Sequence, residues 1–282
     1  MQVREAVVLI TGASSGIGRA AGTAFDRAGA RVALAARRRE RLEEDAARMR
    51  DALALPTDLA EAAQAEAMVE QTAAHFGRLD VLINNAGASH LSRSDAIDPA
   101  ALRRVLETNL VGHVVATGCA VTHMRRGGGG HVINICSPAG WMGAPLLAVY
   151  AASKAAVSGW TRSLQGEWAD SEIRVSEFVP GLIETELGAS ATAAPELAAR
   201  APDVLDDPPR SWLARAVSKP LGPDTVAAQL VELVRRPRPI AYSSGSIRLV
   251  MWLAQYPRLR RLMGVEMREA FRKRLETSIF SE

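Results

Sequence analysis

The chain has 282 residues, 48% of them hydrophobic, with 34 Lys or Arg against 31 Asp or Glu and a net charge of +3. That length suits one α/β domain with at most a modest appendage, and it permits a sizeable core. So small an excess of charge, with no basic motif rich in aromatics, argues against nucleic-acid binding. No uninterrupted apolar run of 18 residues reads as a spanning helix, and no signal segment precedes the first strand, so a cytoplasmic protein is the default expectation.

In chain order, apolar runs of strand length alternate with helical patterns. Ala6–Ile10, Arg31–Ala35, Ala52–Leu55, Leu79–Ile83, His131–Ile135 and Arg174–Val179 read as strands. Gly16–Ala28, Arg39–Arg50, Glu61–Phe76, Pro99–Met124 and Val149–Ala169 read as helices. Continuous apolar strands between helices imply a parallel sheet covered on both faces, which right-handed crossovers make doubly wound, with a ligand crevice at the carboxyl ends of the strands. Gly127–Gly130 reads as a flexible surface loop remote from that crevice. The two cysteines, Cys119 and Cys136, lie in apolar segments and read as reduced core thiols. The five histidines are dispersed and no His is read at metal spacing, so no metal site is expected.

Two segments carry chemistry. Thr11-Gly12-Ala13-Ser14-Ser15-Gly16-Ile17-Gly18 stands between the first strand and the first helix, the order a dinucleotide site requires. Tyr150-Ala151-Ala152-Ser153-Lys154 puts a phenol and an ammonium on one helix face. A cation beside a phenol stabilises phenolate and lowers its pKa toward working pH, as proton exchange with a carbonyl oxygen needs.

With Asn84-Asn85-Ala86-Gly87 after the fourth strand, Asn109, Ser137, and Pro180-Gly181 with Thr185, these segments resemble the short-chain dehydrogenase/reductase family. The resemblance runs from about Val3 to Thr185 and more loosely to Arg235. It implies a Rossmann-type sheet. Gly12 and Gly16 permit the tight turn, amides near Ser14, Ser15, Gly16 and Ile17 approach pyrophosphate at a helix N-terminus, and Gly18 lets that helix pack close to the sheet.

The second strand ends without the acid that binds the ribose diol of NAD and runs into Arg37 and Arg38, similar to the NADP-preferring branch. Arg37 is the first choice for a 2′-phosphate contact and Arg38 the second, against a solvated helix start. NADP(H) is thus preferred, with NAD(H) as the alternative. Asp58 followed by Leu59 matches the position that reads adenine, against a helix N-cap. Asn85, Ala86 and Gly87 resemble the adenosine-side segment, and Pro180, Gly181, Ile183 and Thr185 the nicotinamide-side one.

By the same resemblance Ser137, thirteen residues before Tyr150, polarises the substrate oxygen. Tyr150 exchanges the proton, Lys154 lowers its pKa and binds the nicotinamide ribose, and Asn109 holds a helix bend and a water. Ser137 and Tyr150 are also the substrate contacts. His90 reads as a surface-loop residue rather than a substrate contact.

The expected activity is NADP(H)-dependent interconversion of a ketone or aldehyde with an alcohol on a lipophilic molecule. An acyl-carrier-protein ketoreductase is the alternative within the class, and an idle nucleotide-sensing or scaffold protein the alternative outside it. A homodimer or homotetramer is expected.

Residues 1–245 read as the nucleotide-binding domain, with proline-rich residues from about 186 to 223 as a lid over substrate. Residues 246–282 form a basic extension. Eight Arg or Lys against four acids there leave 26 against 27 elsewhere. Its apolar and basic residues interleave as an amphipathic helical hairpin broken at Pro257, and two readings stand: contact with an anionic membrane surface, or packing on the core or a second subunit.

Overall fold

Five consecutive apolar residues can persist as a strand only where both faces of the sheet are covered, and β1 (Val7–Thr11) is buried at every position. In this computed structural model, which describes residues 1–181, 183, 191–198 and 221–274, the side chains of β1 alternate between two cores. Val8 and Ile10 join Phe25, Leu34, Leu42 and Leu230, while Val7 and Leu9 join Met68, Leu82, Ala120 and Met124. The helices α1 (Gly16–Arg27), α2 (Arg39–Ala46) and Pro223–Arg235 contribute to the first core. Three others, α3 (Ala62–Phe76), Gly112–Arg126 and Ala148–Glu167, contribute to the second. Each large apolar side chain so enclosed contributes about 1.5–3 kcal/mol.

The remaining strands are β2 (Arg31–Ala36), β3 (Ala52–Pro56), β4 (Val81–Asn84), β5 (His90–Leu91), β6 (Gly130–Ile135), β7 (Ile173–Val179), β8 (Thr192–Ala193) and β9 (Ile240–Tyr242). Six of them join β1 in one parallel sheet of seven strands in the order β3-β2-β1-β4-β6-β7-β9. The chain winds outward through β2 and β3, then returns past β1 to β4, so the order reverses between β1 and β4 and a crevice opens there at the strand carboxyl ends. This is the doubly wound, Rossmann-type single domain expected.

Several boundaries differ from expectation. The second helix stops at Ala46 rather than Arg50, because the chain must turn to feed β3; the Arg50 amide is held there by the Asp26 carboxylate. The long helix expected over Pro99–Met124 is three pieces: α4 (Pro99–Leu106), a π-helical turn Glu107–Val111, and α5 (Gly112–Arg126). By length and composition Pro99–Arg126 could cross a membrane, yet Ala116, Ala120, Val121 and Met124 pack on the sheet. Gly127–Gly130 is not a loose loop. Gly130 opens β6, and Gly129 (φ +126°) lies so close to Glu172 that a Cβ would stand 2.6 Å from its carbonyl oxygen. It does lie at the amino ends of the strands, away from the crevice.

Past β6 come α6 (Ala139–Met142), α7 (Ala148–Glu167), α8 (Pro195–Ala198) and α9 (Pro223–Arg235). Of the expected lid, only 191–198 and 221–223 lie among the described residues. There β8 pairs with β5 in a separate two-stranded sheet. That pairing corrects the reading of His90, which is 6% exposed and holds Thr192 Oγ1 with Nδ1 at 2.8 Å. The extension forms α10 (Gly245–Leu253) and α11 (Pro257–Arg274), with Pro257 at the first position of α11, where its missing N–H costs nothing. One side packs on the body: Ile247 and Met251 join Cys136, Val157 and Val179, while Ala254 and Met263 enclose Met142.

Candidate active site

A cleft of about 1500 Å³ runs along the carboxyl ends of the central strands. At its floor the glycine turn takes positive φ at Gly12 (+68°) and Gly16 (+50°), conformations that favour glycine. Crowding excludes side chains as well, since a Cβ on Gly12 would lie 2.8 Å from Ala86 Cα, and one on Gly18 would meet the Gly12 carbonyl and lie 2.6 Å from Asn85 Nδ2. Ser15, the residue before α1, makes no side-chain cap. The first amides of α1 therefore open toward the cleft beside Ser14, Ser15, Gly16 and Ile17, at the positive end of the helix. That is the cradle a pyrophosphate fits.

The turn is braced from β4. Thr11 Oγ1 accepts the amides of Asn85 (2.9 Å) and Ala86 (3.0 Å), and Asn85 Nδ2 donates to the Thr11 carbonyl at 2.8 Å. Behind it runs a buried polar chain that the sequence reading missed. Asn84 Nδ2 donates to Thr117 Oγ1 (2.9 Å) and Asn134 Oδ1 (2.8 Å), and Asn134 Nδ2 donates to Thr161 Oγ1 (2.9 Å).

At the rim beyond β2, Arg37 is exposed, while Arg38 is held on the glycine turn by Ser14 Oγ (3.1 Å) and the Ser14 carbonyl (3.2 Å). Both line the cleft with Asp58 and Leu59. Asp58 is not the N-cap of α3, which is Glu61. Its carboxylate accepts the Ala60 amide at 3.1 Å and binds Arg104 Nη2 at 2.6 Å. Burial pushes its pKa up, but Arg104, the Ala60 amide and the charge of Arg37 outweigh that and hold it below the ordinary value. Arg104, 46 residues away on α4, carries no local motif that could have flagged it.

Deeper in, Ser137, Tyr150 and Lys154 line the cleft together, with Asn85, Ala86, Gly87, Pro180, Gly181 and Ile183 around them. Lys154 is 3% exposed and donates from Nζ to the Ile135 carbonyl at 2.9 Å. That ammonium lies 6.0 Å from the centroid of the Tyr150 ring. The expected lowering of the tyrosine pKa is not found in this state of the site. Burial raises it, the Ser137 hydroxyl pulls the other way, and the Cys136 thiol adds to the rise. Burial likewise lowers the pKa of Lys154.

Asn109 sits in the π-helical turn with no exposure. Three hydrogen bonds hold its side chain: Nδ2 donates to the Ala88 carbonyl and Ser153 Oγ, both at 2.9 Å, and Oδ1 accepts the Ala88 amide at 2.7 Å. It thus ties the segment after Gly87 to α7. Gly18 and Asn109 stand behind the cleft wall rather than on it, and Thr185 lies outside the described residues.

Three further features were not legible locally. Gly140 presses α6 onto α7, where a Cβ would stand 2.7 Å from the Ala155 amide nitrogen and 2.8 Å from the Lys154 carbonyl carbon. Ser243, at the end of β9, accepts the Gly181 amide on Oγ at 2.8 Å. His113 is fully buried with both ring nitrogens unpaired among the described residues. Burial and the Lys154 charge hold its pKa at about 3, the Asn109 carbonyl offsetting slightly.

The cysteines divide. Cys136 is the buried thiol expected, its pKa pushed well up by burial and Glu177. Cys119 is a half-buried thiol packed against the second core, and it shares a helix face with His123, a four-residue spacing that the sequence reading passed over.

Residues 6–196 match the short chain dehydrogenase family, and the chain belongs to that family of oxidoreductases. It is 37% identical over 187 residues to an 11-beta-hydroxysteroid dehydrogenase 1A of Arabidopsis thaliana, a match covering 64% of this chain and 53% of that protein. The chain therefore spans about half the length of that relative. Among solved structures, it resembles a short chain dehydrogenase/reductase from Burkholderia phymatum in complex with NAD (TM-score 0.77, 25% identity, 90% of this chain and 94% of that one). It also resembles an alcohol dehydrogenase from Thermococcus sibiricus complexed with 5-hydroxy-NADP (TM-score 0.70, 26% identity, 84% and 95%). Members so similar bind either nicotinamide dinucleotide.

Proposed function

We propose that this chain is an NADP(H)-preferring reductase of ketones or aldehydes on lipophilic molecules. The observation that carries the reading is the convergence of Ser137, Tyr150 and Lys154 on a cleft floored by uncapped α1 amides and rimmed by Arg37 and Arg38. When bound, the nicotinamide cofactor supplies or accepts the hydride. The α1 amides hold the pyrophosphate, and Arg37, with Arg38 beside it, takes the 2′-phosphate that the missing acid would have repelled. Ser137 donates to the substrate oxygen and orients it. Tyr150 then delivers its proton there, and Lys154 steadies the charge that develops. Burial keeps the phenol protonated at neutral pH, the form that delivers a proton to the substrate oxygen, while making it a weaker acid than an ordinary tyrosine.

The tail supports a lipophilic substrate. Leu249, Trp252, Tyr256, Leu259, Leu262 and Val265 are 39–57% exposed, and Arg248, Arg258, Arg260, Arg261 and Arg268 are exposed among them. We read this as a peripheral, anionic-lipid contact of an otherwise cytoplasmic protein. Homodimer or homotetramer formation remains part of the proposal; exposed Val111 and Val114 offer apolar surface.

The deciding experiment follows NADPH absorbance with a panel of steroid, fatty-acyl and simple ketones. Turnover that Tyr150→Phe abolishes, with NADPH binding retained, is the expected outcome. No turnover by the wild type across the panel would return the protein to a sensing or scaffold role.

A further inference from the structure

Cys119 and His123 stand four residues apart in α5 and so project from one face of the helix. Packing of α5 beside α3 brings Glu70 to that face. Its Oε1 lies 3.0 Å from Cys119 Sγ and 3.0 Å from His123 Nε2, and the three ligand atoms lie within 4.8 Å of one another. None of the three lines the nucleotide cleft. We propose that Glu70, Cys119 and His123 form a second, independent site for a borderline-soft divalent cation, Zn²⁺ foremost.

The donor set decides the class of ion. Thiolate, imidazole and one carboxylate match zinc and its soft neighbours, whereas calcium and magnesium take oxygen donors. Ordinary zinc–ligand bonds of about 2.0–2.3 Å set donors roughly 3.3–3.7 Å apart around a tetrahedron. The 3.0 Å contacts are a few tenths shorter, as hydrogen-bonded donors are. Glu70, with a side chain 57% exposed, can open that gap by rotation alone. A surface hollow of about 310 Å³ beside Glu70, His123 and Arg126 leaves the fourth position to water.

The surrounding charge is mixed. Burial, Glu70 and Glu66 push the Cys119 thiol up to about 12, and Arg126 opposes a cation beside Glu70. A bound cation reverses the balance at sulfur: the S–H bond breaks, the metal–sulfur bond forms, and the thiol proton leaves to solvent. The ion would clip α3 to α5 on one face of the sheet.

Titration of the full chain, reduced and metal-free, with Co²⁺ tests this. The wild type should bind one equivalent with thiolate-to-cobalt charge-transfer absorption that Zn²⁺ displaces, and Zn²⁺ should raise its melting temperature. Cys119→Ser should lose the absorption and the Zn²⁺ shift while keeping the metal-free melting curve and circular dichroism. His123→Gln and Glu70→Gln should each weaken Co²⁺ about tenfold or more. No absorption in the wild type, absorption retained in Cys119→Ser, or unchanged affinity in both other variants would overturn the site. No readout uses turnover, so the outcome is separate from that of the reductase reading.

Discussion

At the scale of single residues, the cleft orders its groups by burial and by charge. Tyr150 keeps its proton to higher pH than an ordinary tyrosine, so carbonyl reduction should be flat through neutrality and fall only in alkali, when the phenol ionises. A profile that falls with rising pH below about 8 would contradict this. Removing the donor in Tyr150→Phe should cost about 10²–10⁴ in kcat, read by NADPH consumption. Arg37 is tested separately: Arg37→Asp should reverse much of the preference for NADPH over NADH, about tenfold or more in the ratio of kcat/KM. Equal ratios in variant and wild type would move that contact to Arg38.

At the scale of elements, packing between neighbours sets the catalytic geometry. Gly140 lets α6 approach the backbone of α7 at Lys154, and a methyl there must displace one or the other. Gly140→Ala should therefore lower kcat about a hundredfold while leaving the circular dichroism spectrum unchanged, since small displacements of reacting groups are costly. Gly181 depends on β9 and α10 in a similar way, through the Ser243 hydroxyl and the Ile247 side chain. The amphipathic pattern of the extension was legible as helix, but its division of labour was not. Period alone could not say that Ile247, Met251 and Met263 turn inward while Leu249, Trp252 and Leu262 face out.

At the scale of the whole molecule, two buried histidines couple the core to pH. His113 is held at about 3 by burial and Lys154, and His131 at about 3 by burial, the N-terminal charge and Arg174, against the ordinary 6.5. Both stay neutral in the folded chain, while the unfolded chain protonates them below 6.5. Their stabilisation is complete above pH 6.5 and is lost as pH falls from there toward 3, by about 1.4 kcal/mol per pH unit for each. Urea melts from about pH 7 to about pH 4 should show this slope, and His113→Leu should halve its histidine part. An unchanged slope in that variant would remove His113 from the account.

The sequence by itself determined the alternation of strands and helices, the glycine turn and the Tyr150–Lys154 spacing. Those are local matters: burial on two faces writes continuous apolar runs, a tight turn demands glycine, and helical period aligns residues four apart. It could not determine which distant groups meet. Arg104 reaching Asp58, Thr192 covering His90, Glu70 meeting Cys119 and His123, and the extension holding Gly181 all follow from how helices and strands pack across the fold. The direction of the Tyr150 shift was decided in the same way, because enclosure acts on the phenol more strongly than the Ser137 hydroxyl that opposes it. Pair spacing is written along the chain; burial is a property of everything packed around it.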